Sequence, residues 1–372
     1  AQFASWSACT SHPRIKMKDI NLMAPSTYSA SNSKIEPLSM INQAQGLAID
    51  VKNLCKKFGN KVAVDNVSIA QPAGSVWGFL GPNGSGKTTT IRMLCGLLEP
   101  TSGEGSCLGF DVVKQSREIK NLTGYMTQKF SFWEDLTIKE NLDFVARLYE
   151  MPNRRKIVEK TLIDLGLEKR QHQLAGSLSG GWKQRLALAA VTMHEPKLLL
   201  LDEPTAGVDP QARRDFWQQI HRLSEQGLTV LVSTHYMDEA ERCDHIVYLA
   251  YGKLITQGTV NEIIQQSGLI SFETTSNPTL EIQQTQSKGT TENTIRSLLS
   301  DIHALPSIEE ASFYADKIKV SGHNSQAMQQ DFVALNQILQ SRGQSVIHWQ
   351  TVTPTLEDAF IALEKQTGGD SR

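Results

Sequence analysis

A glycine-rich loop followed by a lysine and two threonines carries the clearest chemical signal in the sequence. It reads Gly81-Pro82-Asn83-Gly84-Ser85-Gly86-Lys87-Thr88-Thr89 and fits the pattern G-x-x-x-x-G-K-[ST]. Glycines allow tight turns in which consecutive backbone N–H groups point at phosphate oxygens. Lys87 adds a positive charge for the β- and γ-phosphates, and Thr88 adds a hydroxyl ligand for Mg²⁺. The loop is therefore predicted to bind ATP or GTP.

Two acidic residues follow a run of four leucines and supply the second signal. Asp202 and Glu203 come directly after residues 197–201, an apolar run typical of a central parallel strand buried on both faces. The carboxyl ends of such strands are where open α/β sheets bind their ligands. Asp202 is predicted to share Mg²⁺ with Thr88, and Glu203 to polarise the water that attacks the γ-phosphate.

Two further strand ends carry single polar residues. Residues 228–234 lead to His235, which can donate a hydrogen bond to a γ-phosphate oxygen, and residues 122–127 lead to Gln128, whose amide can reach metal or water. Taken alone, each residue is more often structural. A second anion site is predicted at Ser179-Gly180-Gly181, which opens a helix and leaves unpaired N–H groups at its N-terminus.

The elements around these residues predict an α/β fold. Residues 75–80 read as a buried strand and residues 90–98 as a helix, which is the strand–loop–helix context that the phosphate loop requires. Residues 47–51 and 61–69 read as strands joined by a turn after Phe58, an aromatic side chain that either stacks on adenine or packs in the hairpin. Residues 136–176 switch to helical spacing and indicate a helical insertion.

Length and composition indicate an ordinary globular protein of about two domains. The chain has 372 residues, of which 40% are hydrophobic and 20% charged, and its net charge of −2 does not predict a nucleic-acid partner. Five cysteines without metal-ligand spacing suggest free thiols in a reducing compartment. Because no apolar run approaches the roughly 18 residues needed to cross a bilayer, we expect a soluble chain whose membrane partner would do the spanning. Residues 1–45 read as a disordered tail.

Together these motifs resemble the ATP-binding subunits of ABC transporters across about residues 46–268. The match includes the phosphate loop, Gln128, the Leu178-Ser179-Gly180-Gly181 signature, Asp202-Glu203, the segment ending in Asp209, and His235, all in family order. The resemblance implies an ATP-binding domain with a helical subdomain at about residues 129–180. Residues 269–372 are predicted to form a small α+β accessory domain that contains no chemical motif. Phe58 lies where the family has its adenine-stacking aromatic residue.

The resemblance also implies a composite active site and a membrane partner. Two ATP-binding domains, identical or different, would pair head to tail, so that Ser179, Gly180 and Gly181 of one close on Mg²⁺-ATP held by the other, with Asp209 at the dimer seam. A transmembrane permease subunit would hold the dimer at the cytoplasmic face of the membrane. Residues 233–240 and 353–360 look like those of drug or antibiotic exporters. Trp182 departs from the glutamine that usually follows the two glycines, which removes an amide side chain.

Alternative functions are less consistent with the sequence. A non-transport ABC protein acting on DNA or the ribosome is the main alternative. Only about 115 residues separate Lys87 from Asp202, without sustained heptads, and the chain has one phosphate loop. A GTPase would need an Asn-Lys-x-Asp motif. The aromatic residues Phe130, Phe132 and Trp133 could serve either permease contact or packing within the helical subdomain.

Overall fold

The structure is a computed structural model that describes residues 46–275, 291–314 and 317–366. The tail predicted at residues 1–45 lies outside the described residues. Two sheets with their helices form the part up to residue 268, and a third sheet follows. The predicted fold class, an α/β domain with a helical insertion and a small C-terminal α+β extension, is confirmed.

A six-stranded sheet carries the polar strand ends. Its order is β10-β9-β3-β8-β7-β6, and the strands are β3 (Val76–Leu80), β6 (Thr123–Met126), β7 (Leu198–Asp202), β8 (Thr229–Thr234), β9 (His245–Ala250) and β10 (Lys253–Gly258). All neighbours are parallel except β10 and β9. Every residue of β3, β7 and β8 is buried, which explains their continuous apolar sequences. The strand predicted to be central, β7, is an interior strand, but it lies next to the edge strand β6.

A second, four-stranded sheet packs on the first across helix α1 (Lys87–Leu94). Its order is β2-β1-β4-β5, and the strands are β1 (Leu47–Phe58), β2 (Lys61–Pro72), β4 (Ser102–Cys107) and β5 (Phe110–Asp111). Ile49 and Val51 of β1 share one core with Phe79 of β3 and Leu94 of α1. The phosphate loop lies against both sheets, with Gly81 next to β9 and Gly86 next to β2, which restricts its backbone.

The predicted helical region begins after β6. It contains α3 (Ile138–Leu148) and α4 (Arg154–Asp164), and α5 (Gly180–Thr192) begins where the predicted subdomain ends. Helix α3 starts at a capping box in which Thr137 and Glu140 bind each other's backbone N–H groups. The remaining helices of this part are α2 (Ser116–Leu122), α6 (Pro210–Glu225), α7 (Met237–Ala240) and α8 (Val260–Ser267).

The C-terminal elements follow the predicted order of strand, helix, strand pair, helix, strand and helix. They are β11 (Ile270–Thr274), α9 (Thr291–His303), β12 (Glu310–Tyr314), β13 (Lys317–Gly322), α10 (Ser325–Ser341), β14 (Trp349–Val352) and α11 (Leu356–Gln366). The four strands form an antiparallel sheet in the order β12-β13-β11-β14. Phe272, Ile318, Val320 and Phe332 belong to a core separate from those of the first two sheets.

Helix α11 packs against the part up to residue 268 rather than against the core of its own sheet. Leu356 and Phe360 share a core with Leu80, the last residue before the phosphate loop. The ring of Tyr248 stacks on Phe360 with centroids 4.1 Å apart, and its hydroxyl donates to Glu364 over 2.5 Å. A boundary at residue 268 therefore separates the sheets but not all of the packing.

Replacing Phe360 by alanine should lower the free energy of unfolding by about 3–5 kcal/mol, because a buried phenyl ring is removed from a packed core. Thermal and denaturant unfolding followed by circular dichroism would measure the change. Val333→Ala on the exposed face of α10 is the matched control and should change it by less than about 0.5 kcal/mol. Equal stabilities of the two variants would contradict the packing role assigned to α11.

Candidate active site

The phosphate loop needs glycine at two of its turns. Gly81 has φ +148°, and a Cβ there would lie 2.0 Å from the carbonyl oxygen of Leu249. Gly86 has φ +103°, and its Cβ would lie 2.7 Å from the carbonyl oxygen of Ala63. Any larger residue would force the loop away from β9 and β2. The tight turn brings the chain from the end of β3 to the start of α1, where the backbone N–H groups favour an anion.

Lys87 is buried at the first position of α1. Its ammonium donates to the carbonyl oxygens of Gly81 at 2.7 Å and Pro82 at 3.1 Å. Burial lowers the pKa of Lys87, while the nearby carboxylates of Glu203 and Asp202 act in the opposite direction. The cation is therefore desolvated and held by the loop, as a group that binds phosphate oxygens should be.

Asp202 ends β7 and accepts three hydrogen bonds. Its carboxylate receives the hydroxyl of Thr88 at 3.0 Å, that of Ser233 at 2.7 Å and that of Tyr125 at 3.3 Å. Thr88 and Asp202 thus present hard oxygen atoms side by side, which is the ligand type that Mg²⁺ selects. These two residues fit a magnesium ion.

Glu203 is the point where the predicted residues converge. Its carboxylate accepts from the amide of Gln128 at 2.8 Å, and it lies 3.6 Å from Nδ1 of His235 and 3.9 Å from Nζ of Lys87. The backbone of Glu203 has φ +47°, an uncommon conformation for a residue with a side chain, and its N–H donates to Ser233 of β8. This backbone conformation places the carboxylate of Glu203 near Lys87, at the end of the phosphate loop.

Two residues of the site were not predicted, namely Ser233 and Tyr125. Ser233 pairs with Asp202 in the parallel register of β7 and β8, and its hydroxyl binds both Asp202 and the N–H of Glu203. Tyr125 lies in β6, on the other side of β7. The sequence contained a signal for Ser233, because this residue is polar and lies near the end of a buried strand. Polar residues at the ends of two neighbouring parallel strands lie side by side when the strands are in register, as Asp202 and Ser233 do.

The signature residues 178–181 lie at the start of α5 and are separate from the phosphate loop of the same chain. Ser179 precedes the first turn of α5, and a Cβ on Gly181 would come 2.4 Å from the side chain of Ala212 in α6. Asp209 caps α6 by accepting from the N–H groups of Gln211 and Ala212. In the part of the chain that the structure describes, no hydrogen bond or ion pair joins the signature to the phosphate loop.

The ring of Trp182 contacts two arginines. The guanidinium of Arg170 lies 4.5 Å and that of Arg185 lies 4.9 Å from the centre of its ring. Residues 179, 181, 182 and 209 line one cavity of about 190 Å³ between α5 and α6. At the position where the family usually has a glutamine, Trp182 therefore makes packing and cation–π contacts instead of amide hydrogen bonds.

The remaining aromatic candidates differ in burial. Phe58 is 51% exposed at the end of β1, with the Lys56 ammonium 5.4 Å from its ring, so it is not buried in the hairpin. Phe132 is buried in the helical core, Phe130 packs against it, and Trp133 makes an edge contact with Phe144. All three residues thus make packing contacts within the subdomain, and the permease contact stays a prediction.

Comparisons with known proteins agree with this geometry. A family model described as ABC transporter matches residues 64–206. The Nod factor export ATP-binding protein I of Rhizobium etli is 33% identical over 320 residues, which cover 85% of this chain and 93% of that protein. The chain belongs to the family of ABC transporter ATP-binding proteins. The predicted resemblance is thereby confirmed.

Two further similarities concern the ABC cassette itself. The probable multidrug ABC transporter ATP-binding protein YbhF of Escherichia coli (strain K12) is 46% identical over 221 residues, covering 59% of this chain but only 38% of that protein. The chain thus matches less than half the length of this relative. The dimeric post-hydrolysis structure of an ATP-binding cassette with ADP and phosphate superposes with a TM-score of 0.52 and 29% identity, covering 57% of this chain and 98% of that one. Among the described helices, none has the length and apolar character needed to span a bilayer.

Proposed function

We propose that the chain hydrolyses ATP as the energy-supplying subunit of an exporter, pairing with a second ABC cassette and driving a separate transmembrane permease. One observation carries this proposal: the carboxylate of Glu203 lies within hydrogen-bond or ion-pair distance of Gln128, Lys87 and His235 at the mouth of the phosphate loop. A general base beside a triphosphate cradle is the arrangement that hydrolysis needs.

Each residue then has a separate task. The loop N–H groups and Lys87 bind the triphosphate, and Thr88 and Asp202 hold Mg²⁺, which neutralises charge on the β- and γ-phosphates when bound. Glu203 accepts the proton of the attacking water. His235 donates to a γ-phosphate oxygen, and Gln128 orients the water or reaches the metal. Phe58 stacks on adenine, a role supported by its exposed ring.

Dimer closure completes the site. Ser179, Gly180 and Gly181 supply backbone N–H groups to ATP bound by the partner cassette, while Asp209 contacts the partner at the seam. The exposed positions of Ser179 and Gly180, away from the phosphate loop of their own chain, support this arrangement. The dimeric cassette structure with ADP and phosphate supports it as well.

The relatives support the export direction and the membrane location. One relative is named a multidrug ABC transporter ATP-binding protein and another a Nod factor export ATP-binding protein. These two names support export of drugs or other hydrophobic compounds. We therefore propose a peripheral position at the cytoplasmic face of a membrane, on a permease and not on nucleic acid. Mild detergent extraction followed by identification of the copurifying membrane-spanning protein tests this, and recovery of ribosomal proteins or DNA instead would overturn it.

Ser179→Arg should prevent ATP-dependent dimer formation and leave ATP affinity within about twofold, because the added side chain obstructs only the surface that meets the partner. Light scattering with ATP in a Glu203→Gln background, which retains nucleotide, measures the dimer. Ser341→Arg at the exposed end of α10 is the matched control and should dimerise normally. Dimerisation of the Ser179→Arg protein would overturn the composite site.

A further inference from the structure

A buried carboxylate that the mechanism above does not use lies under the active site. Glu239 of α7 is 1% exposed. One of its oxygens accepts a short hydrogen bond from the hydroxyl of Thr205, and the other accepts from the hydroxyl of Thr234 at 2.7 Å. A buried carboxylate is retained only when its oxygens are satisfied, so these bonds fix both threonines.

The two threonines belong to the segments that carry the chemistry. Thr205 follows Glu203 by two residues, and its carbonyl accepts from the N–H of Val208 on the way to Asp209. Thr234 directly precedes His235 and also accepts from the N–H of Tyr236. Glu239 therefore binds both the segment that carries Glu203 and the segment that carries His235.

The side chain of Arg213 connects Glu239 to helix α6, which begins after Asp209. Arg213 lies one turn beyond Asp209 in α6, and its N–H donates to the Asp209 carbonyl at 2.9 Å. Its Nε lies 3.4 Å from Glu239, at ion-pair distance without hydrogen-bond geometry. Its guanidinium covers the ring of Tyr236 at 4.3 Å, and that ring lies 4.1 Å from the ring of His235.

We infer that Glu239 is a positioning residue that links α6 behind Asp209 to the turn of Glu203 and to His235, so that contact with a partner cassette at Asp209 aligns the base and the histidine together. This inference rests on the proposed ATP hydrolysis. A shift of α6 moves Arg213, which is paired with Glu239 and stacked on Tyr236. Because Glu239, Thr205 and Thr234 are buried, this part of the linkage transmits the shift rather than dissipating it in solvent.

Three variants separate the links. Glu239→Gln keeps the shape and can still bond both threonines, but it removes the carboxylate nearer to Arg213 and leaves only that of Asp238, 3.8 Å away. Thr205→Val and Thr234→Val each remove one hydroxyl and leave the other link. Asp331→Asn is the matched control, since Asp331 is half-buried and binds Ser307 in the C-terminal part.

We expect kcat for ATP hydrolysis to fall about 10- to 100-fold in Glu239→Gln and Thr205→Val, as for other residues that orient catalytic groups. The ATP dissociation constant should stay within about twofold and the melting temperature within a few degrees, and Asp331→Asn should retain kcat. The His235 ring resonance, assigned by its loss in His235→Ala, should shift in Glu239→Gln and Thr234→Val without ATP.

Two results would overturn the inference: kcat within twofold of wild type in Glu239→Gln and Thr205→Val, or a loss of kcat matched by loss of ATP affinity and of folding. A wild-type protein that binds ATP without hydrolysing it would refute the proposed function instead. The His235 resonance then still decides whether Glu239 positions the histidine, and an unshifted resonance would refute that as well.

Discussion

Glu203→Gln is expected to lower kcat for ATP hydrolysis by about 10²- to 10⁴-fold, the range by which a positioned general base accelerates a reaction. The amide keeps the size of the side chain and can still accept from Gln128, but it cannot take the proton of the attacking water. Steady-state phosphate release measures kcat, and equilibrium titration measures ATP binding, which should change by less than about threefold.

The same substitution on the surface provides the control. Glu195→Gln alters a 75%-exposed side chain that lies 3.7 Å from Lys160, so kcat should remain unchanged. ATP should also hold the Glu203→Gln protein as a dimer, because the bound nucleotide is not consumed. Near-normal turnover in this variant would show that another group activates the water.

Lys87→Met is expected to weaken ATP binding by about 10- to 100-fold, since a charge-assisted hydrogen bond contributes about 1.5–3 kcal/mol. The same change removes a cation whose pKa is lowered by burial. The free energy of unfolding should therefore change little, because the lost desolvation penalty is offset by the loss of the hydrogen bonds to Gly81 and Pro82 and of the charge beside Glu203. Isothermal titration and thermal unfolding measure the two effects.

An exposed lysine separates the binding effect from a general loss of charge. Lys253 lies 3.7 Å from Asp65 in a largely exposed pair, so Lys253→Met should alter neither ATP affinity nor stability by a measurable amount. If Lys87→Met bound ATP as tightly as wild type, the phosphate contact assigned to Lys87 would be wrong. If it unfolded, the weakened binding could not be attributed to the charge.

Several elements could be predicted because their signals are local. The phosphate loop and the leucine run of β7 depend on neighbouring residues, and turn geometry and burial on both faces act over the same short range. The order of the C-terminal elements was predictable for the same reason, from the periodicity of short segments.

Other features depend on register and on packing between distant segments. Ser233 and Tyr125 reach Asp202 only because β6, β7 and β8 are neighbours in one sheet. Helix α11 belongs by position to the C-terminal part, yet its apolar face packs beside the strand before the phosphate loop. An amphipathic pattern predicts that a face is buried, but not which surface covers it.

The sequence by itself determined that this chain binds a nucleotide through a glycine-rich loop, because that loop and the acid pair after a buried strand have few other uses. It also named the amide and the histidine of the site, because they follow strands in the order that the family has them. Only the tertiary structure decided that the amide, the histidine and the lysine lie close to Glu203, and that the ring of Trp182 contacts two arginines. It also decided that Glu239 binds both the segment after Glu203 and the segment before His235. Those contacts arise between residues far apart in the chain, where strand order and core packing rather than local preference set the distances.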